Sequence, residues 1–273
     1  MLRVSRCCLN PLSIYWCYII INLRTLFDNI HFCRHQCDLS DKFDNDTDGG
    51  SVAKQWTEDE AARWLMTDVA GEMLDFPRRI AASLVAIAGE VSRVADIASG
   101  PGTFLKIFLD RFPNSTGVWQ DASETMESAA KEVLAAYAPR ITWLQGDMYH
   151  IASMGLPSEL DVVLCSRATH HLTPDELNTF YAEVAQSVRP GGWIINLDHA
   201  YLGGPWDEMF RKARKSLLTS AIKDGENSGH RHERPAPSIS DHIAALSRIG
   251  IEEVQTAWQA YYTFLIMARK PAV

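Results

Sequence analysis

Val94-Ala95-Asp96-Ile97-Ala98-Ser99-Gly100-Pro101-Gly102-Thr103-Phe104 is the stretch that decides the fold. An apolar run ends near an acid, Asp96, and four residues later comes a tight Gly100-Pro101-Gly102 turn. A helical pattern starts at Thr103. Strand, glycine turn and helix in that order build the first half of a nucleotide-type crevice. The turn needs glycine because a Cβ would block close approach of the backbone to a ligand.

Outward from this stretch the pattern repeats. Thr116 to Gln120 reads as a second strand closed by Asp121, Ile141 to Gln145 as a third closed by Gly146-Asp147-Met148, and Asp161 to Cys165 as a fourth. Trp193 to Leu197 is the fifth, after the turn Arg189-Pro190-Gly191-Gly192. Helices are expected from Thr57, from Pro77 to about Gly89, after the glycine turn, and from Ser123 to Tyr137. Thr173-Pro174-Asp175-Glu176 is a capping box with proline at the first helical position. Its helix carries Leu177, Phe180, Tyr181, Val184 and Val188 on one face. Further helices are expected from Trp206 to about Ile222 and from Ser238 to Ser247. Ile251 to Trp258 and Tyr261 to Ala268 form a hairpin. Five strand–helix alternations followed by an antiparallel pair predict a doubly wound α/β sheet with an antiparallel edge.

The 273 residues suffice for one large domain or a domain with a cap. A net charge of −8 argues against a nucleic-acid track, and no apolar run reaches the roughly 18 residues of a membrane span. Five of six cysteines fall in the first 50 residues, whereas the body holds only Cys165, which suits a reduced, cytoplasmic setting. Residues 1–50 are atypical and are expected to be a disordered or poorly packed extension. The spacing in His31-Phe32-Cys33-Arg34-His35-Gln36-Cys37 fits none of the usual zinc patterns, so no metal is expected.

In an open α/β sheet the ligand lies beyond the carboxyl ends of the strands. Here those ends carry Asp96 to Gly102, Asp121, Asp147, Cys165 to His171, and Asp198-His199. Asp121 lies nineteen residues after Gly102, which suits a carboxylate gripping ribose hydroxyls. Leu105 stands where a dinucleotide fingerprint has its third small residue. Acids at three strand ends tolerate a sulfonium or ammonium better than a pyrophosphate.

At these positions the chain resembles the class I S-adenosylmethionine-dependent methyltransferases, over roughly residues 55–270. The resemblance rests on Asp96-Ile97-Ala98-Ser99-Gly100-Pro101-Gly102, then Val118 to Ser123 with Met126, Gly146-Asp147-Met148, His170-His171-Leu172 and Arg189-Pro190-Gly191-Gly192, in order. It departs at Ala98, where the family has a glycine. It implies a Rossmann-like, mostly parallel seven-stranded sheet, and a methyltransferase domain over 51–273 with residues 203–237 as a substrate lid. It implies that Asp96 holds the methionine amino group and that Ala98, Gly100 and Gly102 admit the ligand. Asp121 would bind the ribose, with Ala122 against the adenine. Gly146, Asp147 and Met148 would meet the adenine, and the backbone near Ser166 would face the methionine end.

Methyl transfer from a sulfonium is a direct displacement, so alignment and exclusion of water carry much of the catalysis. A base is needed only where the acceptor arrives protonated. His199 and His170 are the candidates, with Asp198 as an alternative. Trp64, Trp206 and Phe210 are candidate walls for a small organic acceptor. O- or C-methylation is expected. The other readings are an NAD(P)-dependent oxidoreductase, disfavoured by Leu105 and by the missing Tyr-x-x-x-Lys pattern, and a non-catalytic binding module.

Overall fold

The computed structural model describes residues 70–217 and 235–272. The 1–50 extension, the helix expected from Thr57 with Trp64, and the loop around His230 and His232 lie outside the described residues.

The seven strands found there are β1 (Arg93–Ile97), β2 (Thr116–Asp121), β3 (Ile141–Gln145), β4 (Leu160–Ser166), β5 (Val188–His199), β6 (Glu253–Ala260) and β7 (Thr263–Arg269). They form one sheet in the order β3-β2-β1-β4-β5-β7-β6. β1 to β5 run parallel; β7 lies antiparallel to β5, and β6 antiparallel to β7. This is the Rossmann-like, doubly wound sheet with an antiparallel edge hairpin. The order reverses between β1 and β4, which opens the crevice at their carboxyl ends.

The helices are α1 (Ala70–Ala88), α2 (Thr103–Arg111), α3 (Glu124–Val133), α4 (Pro174–Ser187), α5 (Gly204–Leu217) and α6 (Ile239–Arg248). One core holds Leu74, Val85, Phe104, Leu105, Phe108, Trp119 and Leu197; the other holds Ile97, Val163, Leu177, Tyr181, Leu246 and Phe264. Alternate residues of the central strands feed the two, as a sheet covered on both faces requires.

Three boundaries differ from expectation. The expected break at Pro77 is absent: α1 runs through that proline. A mid-helix proline costs about 3 kcal/mol, but buried Leu74 and Val85 each return about 2 kcal/mol, with Ala81 and Ala82 packed beside them. The helix expected to reach Tyr137 stops at Val133 and tightens into a 3₁₀ turn, Ala135–Arg140, because Pro139 cannot continue an α-helix. β5 starts at Val188, not Trp193, and its register against β4 jumps from Leu160↔Val188 to Val162↔Trp193. Arg189 to Gly192 is therefore a bulge within the strand. Asp161 pins it: Oδ1 accepts from Arg189 Nε at 2.5 Å, and Oδ2 accepts the backbone N–H groups of Ser92 and Arg93. This clamp sits at the amino ends of β1, β4 and β5, away from the ligand edge.

Leu105 has a structural reason. A Cβ on Gly117 of β2 would come within 3.2 Å of Leu105 Cδ1. The small residue that allows helix and strand to approach is thus on the strand, and the large one is on the helix.

Candidate active site

The glycine loop is built on two carboxylates. Asp96 is fully buried, and its Oδ2 accepts from Ser99 Oγ at 2.7 Å and from the Leu105 N–H at 3.2 Å. Asp121 Oδ2 accepts the Gly100 N–H at 2.8 Å, and its Oδ1 accepts the Ser123 N–H at 2.9 Å. Each acid therefore ties its strand end to the turn. Gly102 takes φ +77°, and a Cβ there would meet Leu134 Cδ1 at 2.5 Å. Both backbone and space demand glycine.

Burial dominates the electrostatics here. It pushes Asp96 up to about 6, against the lowering effect of Ser99, the Arg78 guanidinium and the Leu105 N–H, while the Asp121 charge adds to the rise. Asp121 is also raised by burial, opposed by the N–H groups of Ser123, Gly100 and Ala122. Asp96 Oδ1 is buried with no hydrogen-bond partner. A buried carboxylate oxygen in that condition favours an incoming cation or N–H donor.

Two supports escaped the sequence reading. Gln120 is buried at the end of β2; its Oε1 accepts the Ala98 N–H at 3.0 Å and its Nε2 donates to the Gly146 carbonyl. It joins the β1 and β3 loops across β2. Trp119 Nε1 donates to the Gly100 carbonyl at 2.8 Å, holding the turn from below. A polar residue closing an apolar run was the only available signal for Gln120.

The remaining candidates take their places on the same edge. The Gly146 N–H donates to the Asp121 carbonyl at 3.1 Å. Asp147 caps a 3₁₀ turn, its Oδ1 accepting the Tyr149 N–H at 3.0 Å, and Met148 packs against the second core. Ala122 is exposed beyond β2. Ser166 ends β4 with its Oγ buried and without a partner.

At the ends of β4 and β5 the acid–imidazole pair is explicit. Asp198 Oδ1 lies 2.6 Å from His170 Nδ1 and also accepts the His199 N–H at 2.7 Å. Its Oδ2 accepts from the Ala168 N–H, Thr169 Oγ1 and the His170 N–H. Burial alone would raise this carboxyl, but the His170 ring, His199 and the Thr169 hydroxyl together hold it well below the usual carboxylate range. Asp198, an alternative base by sequence, is thus fully committed as the anchor of the His170 turn. His199 Nδ1 lies 3.1 Å from Thr263 Oγ1, and its ring centroid is 5.7 Å from that of His170.

On α5, Trp206 stacks on Phe210 at 5.8 Å between centroids, and Phe210 meets Tyr261 edge-on at 6.1 Å. Tyr261 and Tyr262 turn the hairpin at the carboxyl edge, and Tyr262 packs edge-on to His199 at 5.0 Å. Trp206 is 58% exposed and Met209 50%, more than core residues of these types show. No group of three or more metal-ligating side chains occurs among the described residues, and none of their helices is long and apolar enough to cross a membrane.

Residues 94–192 match a family model described as a methyltransferase domain. The chain is 33% identical over 120 residues to a ubiquinone/menaquinone biosynthesis C-methyltransferase of Dinoroseobacter shibae, covering 41% of this chain and 44% of that protein. It is 30% identical over 146 residues to an uncharacterized methyltransferase of Geobacillus kaustophilus, covering 54% and 62%. A solved O-methyltransferase family protein from Burkholderia thailandensis shares the fold with a TM-score of 0.58 at 17% identity, over 79% of this chain and 60% of that one. The chain thus spans less than two thirds of each of these relatives. The matched segment runs from β1 to the bulge of β5 and takes in both carboxylate anchors of the glycine loop and the His170 turn, so this part of the chain is similar to a methyltransferase domain.

Proposed function

We propose that the protein transfers a methyl group from S-adenosylmethionine to a small organic acceptor, at oxygen or carbon, by direct in-line displacement. One observation carries this reading. The glycine loop, with its unpartnered Asp96 Oδ1, shares the carboxyl edge of the sheet with an imidazole oriented by a buried carboxylate. The donor set fits the ligand: buried acids suit an ammonium and ribose hydroxyls, and would repel a pyrophosphate.

S-adenosylmethionine supplies, when bound, a methyl carbon activated by its sulfonium. Asp96 would hold the amino group, with Ser166 and its backbone beside the methionine end. Ala98, Gly100 and Gly102 would let the main chain approach, and Asp121 would take the ribose hydroxyls. Ala122, Gly146, Asp147 and Met148 would enclose the adenine. His170 would accept the acceptor's proton at Nε2, since Nδ1 is engaged by Asp198. His199, beside it, would orient the acceptor or share that role.

The acceptor would enter under the 203–237 segment, against Trp206 and Phe210; Trp64 is proposed for the same wall from outside the described residues. The methyltransferase domain would occupy 51–273 and work in the cytoplasm without nucleic acid. Buried, unpaired Cys165 and the acidic net charge support that setting.

Thermal-shift titration tests the reading. S-adenosylhomocysteine should stabilise the protein and NADH should not. Asp121→Ala should weaken that binding about tenfold or more, the worth of a charge-assisted hydrogen bond. Stabilisation by NADH, or an unaffected Asp121→Ala, would reject it. A mass-read screen of candidate metabolites would then identify the acceptor.

A further inference from the structure

Behind the His170–Asp198 pair lies a buried polar chain that the proposed chemistry does not use. Thr169, Asn196, Tyr181 and His242 are all fully buried, and they sit on the 3₁₀ turn Thr169–His171, β5, α4 and α6. Asp198 Oδ2 is 2.7 Å from Thr169 Oγ1, which is 2.8 Å from Asn196 Nδ2. Asn196 Nδ2 is 3.0 Å from Tyr181 Oη, which is 2.8 Å from His242 Nδ1.

One fact fixes the direction of the first three bonds. An ionised carboxylate only accepts, so the Thr169 hydroxyl spends its single proton on Asp198. Its oxygen must then accept from the amide N–H of Asn196, which settles the orientation of that amide. The second Asn196 N–H points to Tyr181 Oη. Tyr181 Oη and His242 Nδ1 close the chain at 2.8 Å, with His242 Nε2 buried without a partner. Burial pushes His242 down to about 4, so its ring is neutral. Burial also pushes the Tyr181 hydroxyl up, so it stays protonated.

The geometry points to Thr169 and Asn196 as positioning residues: Asn196 donates to the Thr169 oxygen on one side and to Tyr181 on the other, and the Thr169 proton goes to Asp198, so the carboxylate is held where it sets the charge and tautomer of His170. This rests on His170 being the base of the proposed reaction. The chain ends at Asp198 as a donor, and Asp198 Oδ1 takes the proton of His170 Nδ1. Nε2 is thereby the ring nitrogen able to take up a proton. The ionisable groups facing the pair are His171 on its own turn, Asp198 and His199 on β5, Cys165 on β4, Tyr181 on α4 and His242 on α6. Removing the Thr169 hydroxyl would leave more of the Asp198 charge for the imidazolium, so His170 would become more basic.

Nitrogen-15 NMR of the histidine rings in the full chain tests this without an acceptor. In the wild type at neutral pH, His170 should carry its proton on Nδ1. Thr169→Val should raise the His170 titration midpoint by about 0.5 to 1 pH unit, and Thr169→Ser should restore it. A His170 proton on Nε2, or an unmoved His170 midpoint in folded Thr169→Val, would overturn the proposal. Should Thr169→Val not fold, the wild-type His170 tautomer alone decides it. Failure to bind S-adenosylhomocysteine would reject the methyl-transfer reading while leaving that tautomer untouched.

Discussion

His170 Nδ1 and Asp198 Oδ1 lie 2.6 Å apart, with side chains only 6% and 0% exposed. The same carboxylate collects the N–H groups of Ala168, His170 and His199 and the Thr169 hydroxyl. One buried charge thus shapes the β4–α4 loop and orients its ring. Removing it leaves several buried donors facing an amide that can accept through only one oxygen. Asp198→Asn should cost about 3 kcal/mol of stability at pH 7. The pH dependence has a definite sign. The folded carboxyl titrates below its unfolded value of about 3.9, so this stability is present above roughly pH 4 and fades as pH falls toward the folded value. Urea unfolding from pH 3 to pH 7 should therefore show the gap between wild type and variant narrowing on acidification. Equal stability at pH 7 would remove Asp198 as the anchor.

Asp96 behaves in the opposite sense. Its pKa is raised to about 6, so its contribution to stability is full below about pH 4 and is lost as pH rises through 6. Asp96→Asn should unfold later than wild type at pH 8, by about 2–3 kcal/mol. The same ionised carboxylate is what an ammonium would pair with. Affinity for S-adenosylhomocysteine should then rise several-fold from pH 5 to pH 7 in the wild type and stay flat in Asp96→Asn. Calorimetry giving parallel pH curves for both proteins would break the assignment of Asp96 to the amino group.

The strand ends were legible because each marks a change of rule. An apolar run gives way to an acid at Asp96 and Asp121, and capping boxes open α4 and α6 at Thr173 and Ser238. What escaped is cross-chain. The pattern buries Tyr181 on the inner face of α4 but says nothing of His242, 61 residues away, which it meets. Arg78 beside Pro77 reads as a helix start, yet it is a buried cation that lowers Asp96 from α1. Arg189-Pro190-Gly191-Gly192 supported the family resemblance, but its place is a bulge at the end of the sheet far from the ligand edge. Motif order carries the family resemblance; it does not say which motif touches the ligand.

Ala98 is the residue at which the chain departs from the family glycine, and it sits at φ +51°. A side chain in the left-handed region costs about 1–2 kcal/mol, while glycine adds about 0.5–1 kcal/mol of unfolded-state entropy. Ala98→Gly should consequently be neutral or gain up to about 1 kcal/mol, with the Gln120 bond to its N–H retained. Ala98→Val should lose about 2 kcal/mol, since a β-branched residue is a true outlier there. Thermal unfolding of the two variants checks the pair. A loss in Ala98→Gly comparable to that in Ala98→Val would mean the methyl group is needed for packing rather than tolerated.

Leu105 and Gly117 form an exchange that can be measured as a coupling. The Cβ of an alanine at 117 would sit 3.2 Å from Leu105 Cδ1 and 3.4 Å from Leu109 Cδ1. Both leucines are buried in the core under the glycine turn, and Leu105 also donates its N–H to Asp96. Gly117→Ala should therefore destabilise by about 1–2 kcal/mol through overpacking. Leu105→Ala alone should cost about 2–4 kcal/mol through the space it opens. In the double variant the new methyl enters part of that space, so the total should fall short of the sum by about 1 kcal/mol. The crowding should also push α2 and the turn ahead of it off β2, so Gly117→Ala should weaken S-adenosylhomocysteine binding and the double variant should regain part of it. Strict additivity in urea unfolding would mean that helix and strand do not depend on this exchange to approach.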